Sequence, residues 1–159
     1  MKRLSILFFA LFLLHSCQKD ESVPVAGDVE YVIFGHFYGE CVGEACIEIF
    51  KIENGVLYED TKDNYPSFSD PYVGEYVALD DAKYQQVKDL PSKIPAELFN
   101  ETQTVIGQPD AGDWGGYYFE VKEEGVVYHY LIDKATSNLP DYLKPFADVL
   151  EEYIARAQG

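Results

Sequence analysis

Leu143, Phe146, Ala147, Leu150, Tyr153, Ile154 and Ala157 recur at helical spacing in the last part of the chain. They predict an amphipathic helix whose apolar stripe has to be buried against another element. Pro140 and Pro145 sit near its start, where proline is tolerated. Pro145 marks the main helix after one preliminary turn. A stripe of this kind obliges the rest of the chain to build a surface for it, and the rest of the chain reads as strands.

Glu30 to Tyr38 is rich in Val, Ile, Phe and Tyr. One face carries Tyr31, Ile33 and Phe37, the other Val32, Phe34 and His36. Both faces are largely apolar, which predicts a central strand covered on both sides. Gly39 to Ala45 reads as a turn and Cys46 to Glu53 as the returning strand. Asn54-Gly55 is a strong two-residue hairpin signal, and Val56 to Glu59 continues the meander. Asp60 to Gly74 is a loop with Pro66 and Pro71. Asp80 is placed to cap a helix carrying Tyr84, Val87 and Leu90 on one face. Pro91 and Pro95 end that helix and begin a short turn through Phe99. Thr102 to Gly107 reads as a strand, and Pro109 to Gly116 as a Gly- and Asp-rich loop carrying Trp114. Tyr117 to Lys122 and Val126 to Asp133 form a second hairpin around Glu124-Gly125. The expected fold class is α+β: a single domain with an antiparallel sheet of about six strands. A middle helical segment and the C-terminal amphipathic helix pack on it. No internal repeat has a fixed period.

The N-terminal stretch follows a different logic. Lys2 and Arg3 precede an apolar run from Leu4 to Leu14, broken by Ser5. The run is about eleven residues, whereas a membrane-spanning helix needs about 20. Leu14-His15-Ser16-Cys17 closes it, and the polar Gln18-Lys19-Asp20-Glu21 follows. This stretch resembles a bacterial lipoprotein signal peptide. Leu14 and Ser16 match the apolar and small positions before the cysteine, while His15 departs from the usual small or β-branched residue. The resemblance implies cleavage before Cys17, diacylglyceryl on its sulfur and acyl on its amine. Two or more such chains give stable membrane anchoring. The expected division is a signal peptide at 1–16, a lipidated N-terminus and polar tether at 17–27, and a globular domain at 28–159. The chain as a whole resembles the small envelope lipoproteins of the Bacteroidota, which implies an outer-membrane location rather than an activity. The acidic tract after Cys17 is similar to a surface-export signal, and the periplasmic face and the cell surface both stay open.

The chain has 12 basic and 28 acidic residues, a net charge of −16. Removal of residues 1–16 takes away Lys2 and Arg3 and no acid, which moves the charge to −18. Such a charge opposes nucleic-acid and anionic-lipid binding and favours cations or basic partners. Aromatics make up 15% of the residues, enough to bury and to set the chain apart from disordered acidic segments. With Cys17 acylated, Cys41 and Cys46 remain as a pair. In an oxidising compartment that pair is expected to form a disulfide around Val42-Gly43-Glu44-Ala45.

Candidate sites are few. His36, Cys41 and Cys46 are evenly spaced, but a disulfide removes both thiolates from any metal set, and no metal site is expected. Asp60, Asp63, Asn64 and Asp70 cluster in the first long loop, and Asp110 and Asp113 bracket Gly112 in the second. Clustered carboxylates are one source of calcium ligands, but the EF-hand spacing is absent, and Asp and Asn also serve turn geometry. Trp114 lies among Gly112, Gly115 and Gly116, where an aromatic either contacts a ligand or folds back onto the core. Trp114, Asp110 and Asp113 are the ligand-binding candidates. His129 is a general base or a structural hydrogen-bonder on its strand. No Gly-x-Ser-x-Gly elbow, phosphate loop or dinucleotide fingerprint is present, and no cofactor is expected. The expected function is a lipid-anchored, non-catalytic envelope protein that binds or assists, contacting a protein partner or a surface glycan. The alternatives are a small envelope hydrolase with a carboxylate-based site and an inhibitor-like module offering its hairpin loops to a secreted enzyme.

Overall fold

The doubly apolar run near residue 30 becomes the middle of a sheet. A computed structural model describes residues 28–159; the stretch expected to be a signal peptide at 1–16, Cys17 and the expected tether at 17–27 lie outside the described residues. Strand β1 (Val29–Phe37) is flanked by β2 (Ile47–Glu53) and β6 (Gly116–Glu123). Beyond β2 come β3 (Val56–Asp60) and β4 (Tyr76–Ala78); beyond β6 come β7 (Val126–Asp133) and β5 (Val105–Ile106). The order across the sheet is β4-β3-β2-β1-β6-β7-β5. Every pair is antiparallel except β5 with β7. Two helices complete the domain, α1 (Asp81–Val87) and α2 (Lys144–Gln158).

The α+β architecture follows the expectation, with differences of detail. The sheet has seven strands rather than about six. The seventh is β4, whose three residues are too few to print an alternation in the sequence. The Thr102–Gly107 run shrinks to Val105–Ile106 and pairs parallel. Thr102 and Gln103 stay out of the ladder, because their N–H groups donate to the Glu101 carboxylate at 2.9 and 3.1 Å. The middle helix stops at Val87, and Leu90 opens a separate 3-10 turn with Pro91 in its first turn.

Local chemistry explains the remaining joints. Asn54 and Gly55 have φ of 52° and 76°, and Glu124 and Gly125 have 49° and 80°. Both pairs adopt the left-handed geometry that a tight hairpin requires. Asp80 caps α1 by accepting from the Lys83 N–H at 2.9 Å. Gly35 of β1 sits where a Cβ would collide with the Glu48 carbonyl of the neighbouring strand.

The helices cover one face. Phe146, Leu150 and Ile154 of α2 are buried in one cluster with Val32, Phe34 and Phe119. The Phe119 and Phe146 rings meet edge to face, centroids 5.0 Å apart. The end of α2 is stitched to α1: the Lys83 ammonium donates to the Ala157 and Gln158 carbonyls at 2.9 and 2.8 Å. These are carbonyls that a helix C-terminus leaves without intrahelical donors. The opposite face lies under the segment 61–75, and its cluster combines Ile33, Phe37, Ile49 and Leu131 with Tyr72 and Tyr118.

Candidate functional site

Strand direction decides which loops meet. Phe37, the last residue of β1, pairs with Ile47 of β2 and Gly116 of β6, and Gly116 pairs with Asp133 of β7. Loops 38–46, 61–75 and 107–115 therefore gather at one end of the sheet. The hairpins at Asn54-Gly55 and Glu124-Gly125 lie at the other end, with Asp28.

Asp110 ties the gathered loops together. Its Oδ2 accepts from the Gly39 N–H and the Tyr65 hydroxyl, each at 2.9 Å, and its Oδ1 accepts from the Gly115 N–H at 3.1 Å. Asp110 and Asp113 have φ of 60° and 64°, which a short polar side chain tolerates. Gly115, at φ 74°, lies so close to the Tyr38 ring that a Cβ would clash with it. The Tyr65 ring packs edge-on against buried Phe37 at 5.0 Å and stacks on Phe68 at 6.3 Å. Burial and the Asp110 carboxylate push the Tyr65 hydroxyl up to about 12, so it stays a donor at neutral pH. Loop 38–46 is closed by the Cys41–Cys46 pair, with Cα atoms 5.6 Å apart. The Cys46 carbonyl accepts from the Tyr38 N–H at 3.0 Å.

Around this anchored framework apolar side chains face solvent. Trp114 is 77% exposed, Val42 fully and Phe68 51%. Asp110, Asp113 and Trp114 thus share a loop but not a role. Asp110 turns inward and gives its oxygens to the protein's own N–H and O–H groups, while Asp113 and Trp114 face outward.

Sequence reasoning missed a second constellation on the loop-covered face. Glu120 is 1% exposed and Asp60 3%. Glu120 accepts from the Tyr31 hydroxyl at 2.8 Å, the Tyr72 N–H at 3.0 Å, and the Tyr118 hydroxyl. Asp60 accepts from the Tyr72 hydroxyl at 2.7 Å and from the Asp63 and Glu75 N–H groups at 3.1 and 2.5 Å. Burial first, and the nearby carboxylates second, push the Tyr31, Tyr72, Tyr76 and Tyr118 hydroxyls above the ordinary tyrosine range. Tyr31, Tyr72 and Tyr118 thereby remain donors to the two buried carboxylates, while the buried Tyr76 hydroxyl has no hydrogen-bond partner among the described residues. The signal for this in the sequence was Glu120 itself, a lone charge in the aromatic run Tyr117-Tyr118-Phe119-Glu120-Val121.

The remaining candidates are dispersed. Asp60, expected in the loop, is instead the last residue of β3, and Asp70 accepts from the Ser67 and Ser69 hydroxyls at 3.1 and 2.8 Å. Among the described residues no three His, Cys, Asp or Glu side chains are grouped to hold a metal ion. His36 packs against the Tyr38 ring, and its Nε2 lies 3.2 Å from the Ala45 carbonyl. Burial lowers its pKa below the usual histidine value, outweighing the opposing pull of that carbonyl. Beside it, the Lys134 ammonium donates to the Tyr38 hydroxyl at 2.9 Å and to Glu151 at 3.0 Å, which joins α2 to the loop end of the sheet. His129 pairs across from Glu120 on β7, and its Nε2 is buried without a hydrogen-bond partner. Comparison with protein-family models, curated proteins and solved structures finds no match, so the site rests on its own geometry.

Proposed function

We propose that this chain is a lipid-anchored, non-catalytic binding or accessory protein of the cell envelope, and that loops 38–46, 61–75 and 107–115 contact a protein partner. The observation that carries the reading is the convergence of these loops on Asp110 while Trp114, Phe68 and Val42 face solvent. Exposed apolar groups on a backbone fixed by hydrogen bonds and a disulfide suit a partner better than they suit the chain alone. The charge balance, 28 acidic against 12 basic residues, supports a partner with a basic surface. Position supports the same reading. The loops lie a full length of β1 from Asp28, a strand of nine residues, or about 30 Å at strand rise. A chain held through Cys17 would present them away from the membrane.

The test is crosslinking in intact cells with the full chain, Trp114→Ala, Phe68→Ala and Cys17→Ser. A stoichiometric partner captured by the parent and lost with Trp114→Ala or Phe68→Ala supports the loop surface. Capture that is indifferent to both substitutions refutes it. Failure of Cys17 to take up an alkyne-labelled fatty acid, with membrane retention unchanged in Cys17→Ser, refutes the anchor.

A further inference from the structure

Strand β7 is paired with β6 along its whole length but with β5 at only Leu131 and Ile132. The Leu131 N–H points away from β6 and donates to the Thr104 carbonyl at 2.8 Å. Direction alternates along an antiparallel strand, so the N–H and C=O groups of His129 and Val127 point the same way. Among the described residues no strand pairs with them there. The segment that leads into β5 bends aside, its Thr102 and Gln103 N–H groups turned to Glu101. A groove of about 190 Å3 remains between residues 101–104 and residues 127–130. Val126 and Val127 are exposed beside it, and the unpartnered Nε2 of His129 belongs to a residue in its wall.

Natural sheets guard such an edge with Lys, Pro, a bulge or a covering segment. Val126-Val127-Tyr128-His129 contains neither Lys nor Pro. The charges at hand are acidic: Glu101 lines the groove, and Glu123 and Glu124 precede the strand. The nearest lysine on β6, Lys122, is held by Glu30 at 2.6 Å. We infer that the open edge of β7 accepts an extended, basic peptide segment of a partner protein as an added strand. The backbone groups of Val127 and His129 supply the ladder, and Glu101, Glu123 and Glu124 receive its Lys or Arg side chains. A second copy of this acidic chain would bring like charges to the same edge, which disfavours self-pairing. This inference does not rest on the loop surface proposed above.

The experiment adds a synthetic eight-residue peptide of alternating Lys and Val to the full chain and follows amide exchange at residues 126–130. The expected result is slowed exchange at Val127 and His129. An N-methylated version, blocked along one edge but equally charged, should bind at least tenfold more weakly. Glu123→Gln with Glu124→Gln should weaken binding while leaving the free protein's exchange pattern unchanged. Val127→Pro, which removes an outward N–H, should abolish protection at His129. Equal binding of the methylated peptide, or protection mapped elsewhere, overturns the inference. So does concentration-dependent dimerisation of the protein alone that protects the same amides, because a second copy would then be the occupant.

Discussion

On one side of the sheet, α2 lays Phe146, Leu150 and Ile154 over Val32, Phe34 and Phe119. On the other, the segment 61–75 sets Tyr72 onto Tyr118, with ring centroids 5.5 Å apart, and onto Glu120. The first face is closed by removing apolar surface from water, a force without direction that many side chains of similar volume supply. The second is closed by named donors aimed at two buried carboxylates, and each donor has to be in place. One sheet therefore carries a cover that tolerates variation and a strap that does not. The strap leads directly into the loop end, because Tyr65 and Phe68 belong to the same segment as Tyr72.

Substitutions can separate the two covers. Phe119→Ala, at a fully buried ring, should cost about 3–5 kcal/mol in denaturant unfolding, the usual range for emptying such a site. Glu120→Gln keeps the shape but turns one acceptor into a donor facing donors. It should cost about 2–3 kcal/mol, and limited proteolysis should find the segment 61–75 opened while α2 stays protected. If α2 loosens with it, the two faces form one unit and the contrast fails. Replacing both Cys41 and Cys46 with Ser should cost about 2 kcal/mol for so short a loop, with the change confined to residues 38–46 in hydrogen exchange. Acid should act more mildly. The folded-state pKa of His36 is lowered, so the unfolded chain takes up the proton first. Its contribution is complete above about pH 6.5 and is lost as pH falls from there toward the folded value. Glu151 adds to the loss at lower pH: burial opposes its charge, but Tyr117 and Lys134 outweigh that and lower its pKa. Melting curves of His36→Gln should show a flatter pH dependence between the ordinary histidine and carboxylate ranges. Trp114→Ala should leave stability within about 0.5 kcal/mol while removing partner capture.

The helix-covered face was legible because its determinants are periodic and local. The stripe from Leu143 to Ala157, the two-faced run of β1 and the Asn54-Gly55 turn each carry their own signal. Strands β4 and β5 were illegible or misjudged because three and two residues hold no period. The strap was hidden for another reason. Glu120 announces that something must satisfy it, but the Tyr72 N–H arrives from 48 residues away. At the loop end, the glycines around Trp114 marked a tight loop. The inward turn of Asp110 depends on Gly39 and Tyr65, which lie on two other loops, and no spacing rule connects them.

The chain order of the sheet has a kinetic consequence. β1 is the first strand described and the most central, yet its neighbour β6 begins at Gly116 and its cover α2 at Lys144. A nascent chain can pair β1 with β2 and β2 with β3 early, but their apolar face stays open until the final helix arrives and Lys83 grips its end. Closure through such distant partners predicts refolding in milliseconds to seconds rather than microseconds. It also keeps the polypeptide pliable until late, because the sheet's helix-covered face is completed only by the last element of the chain.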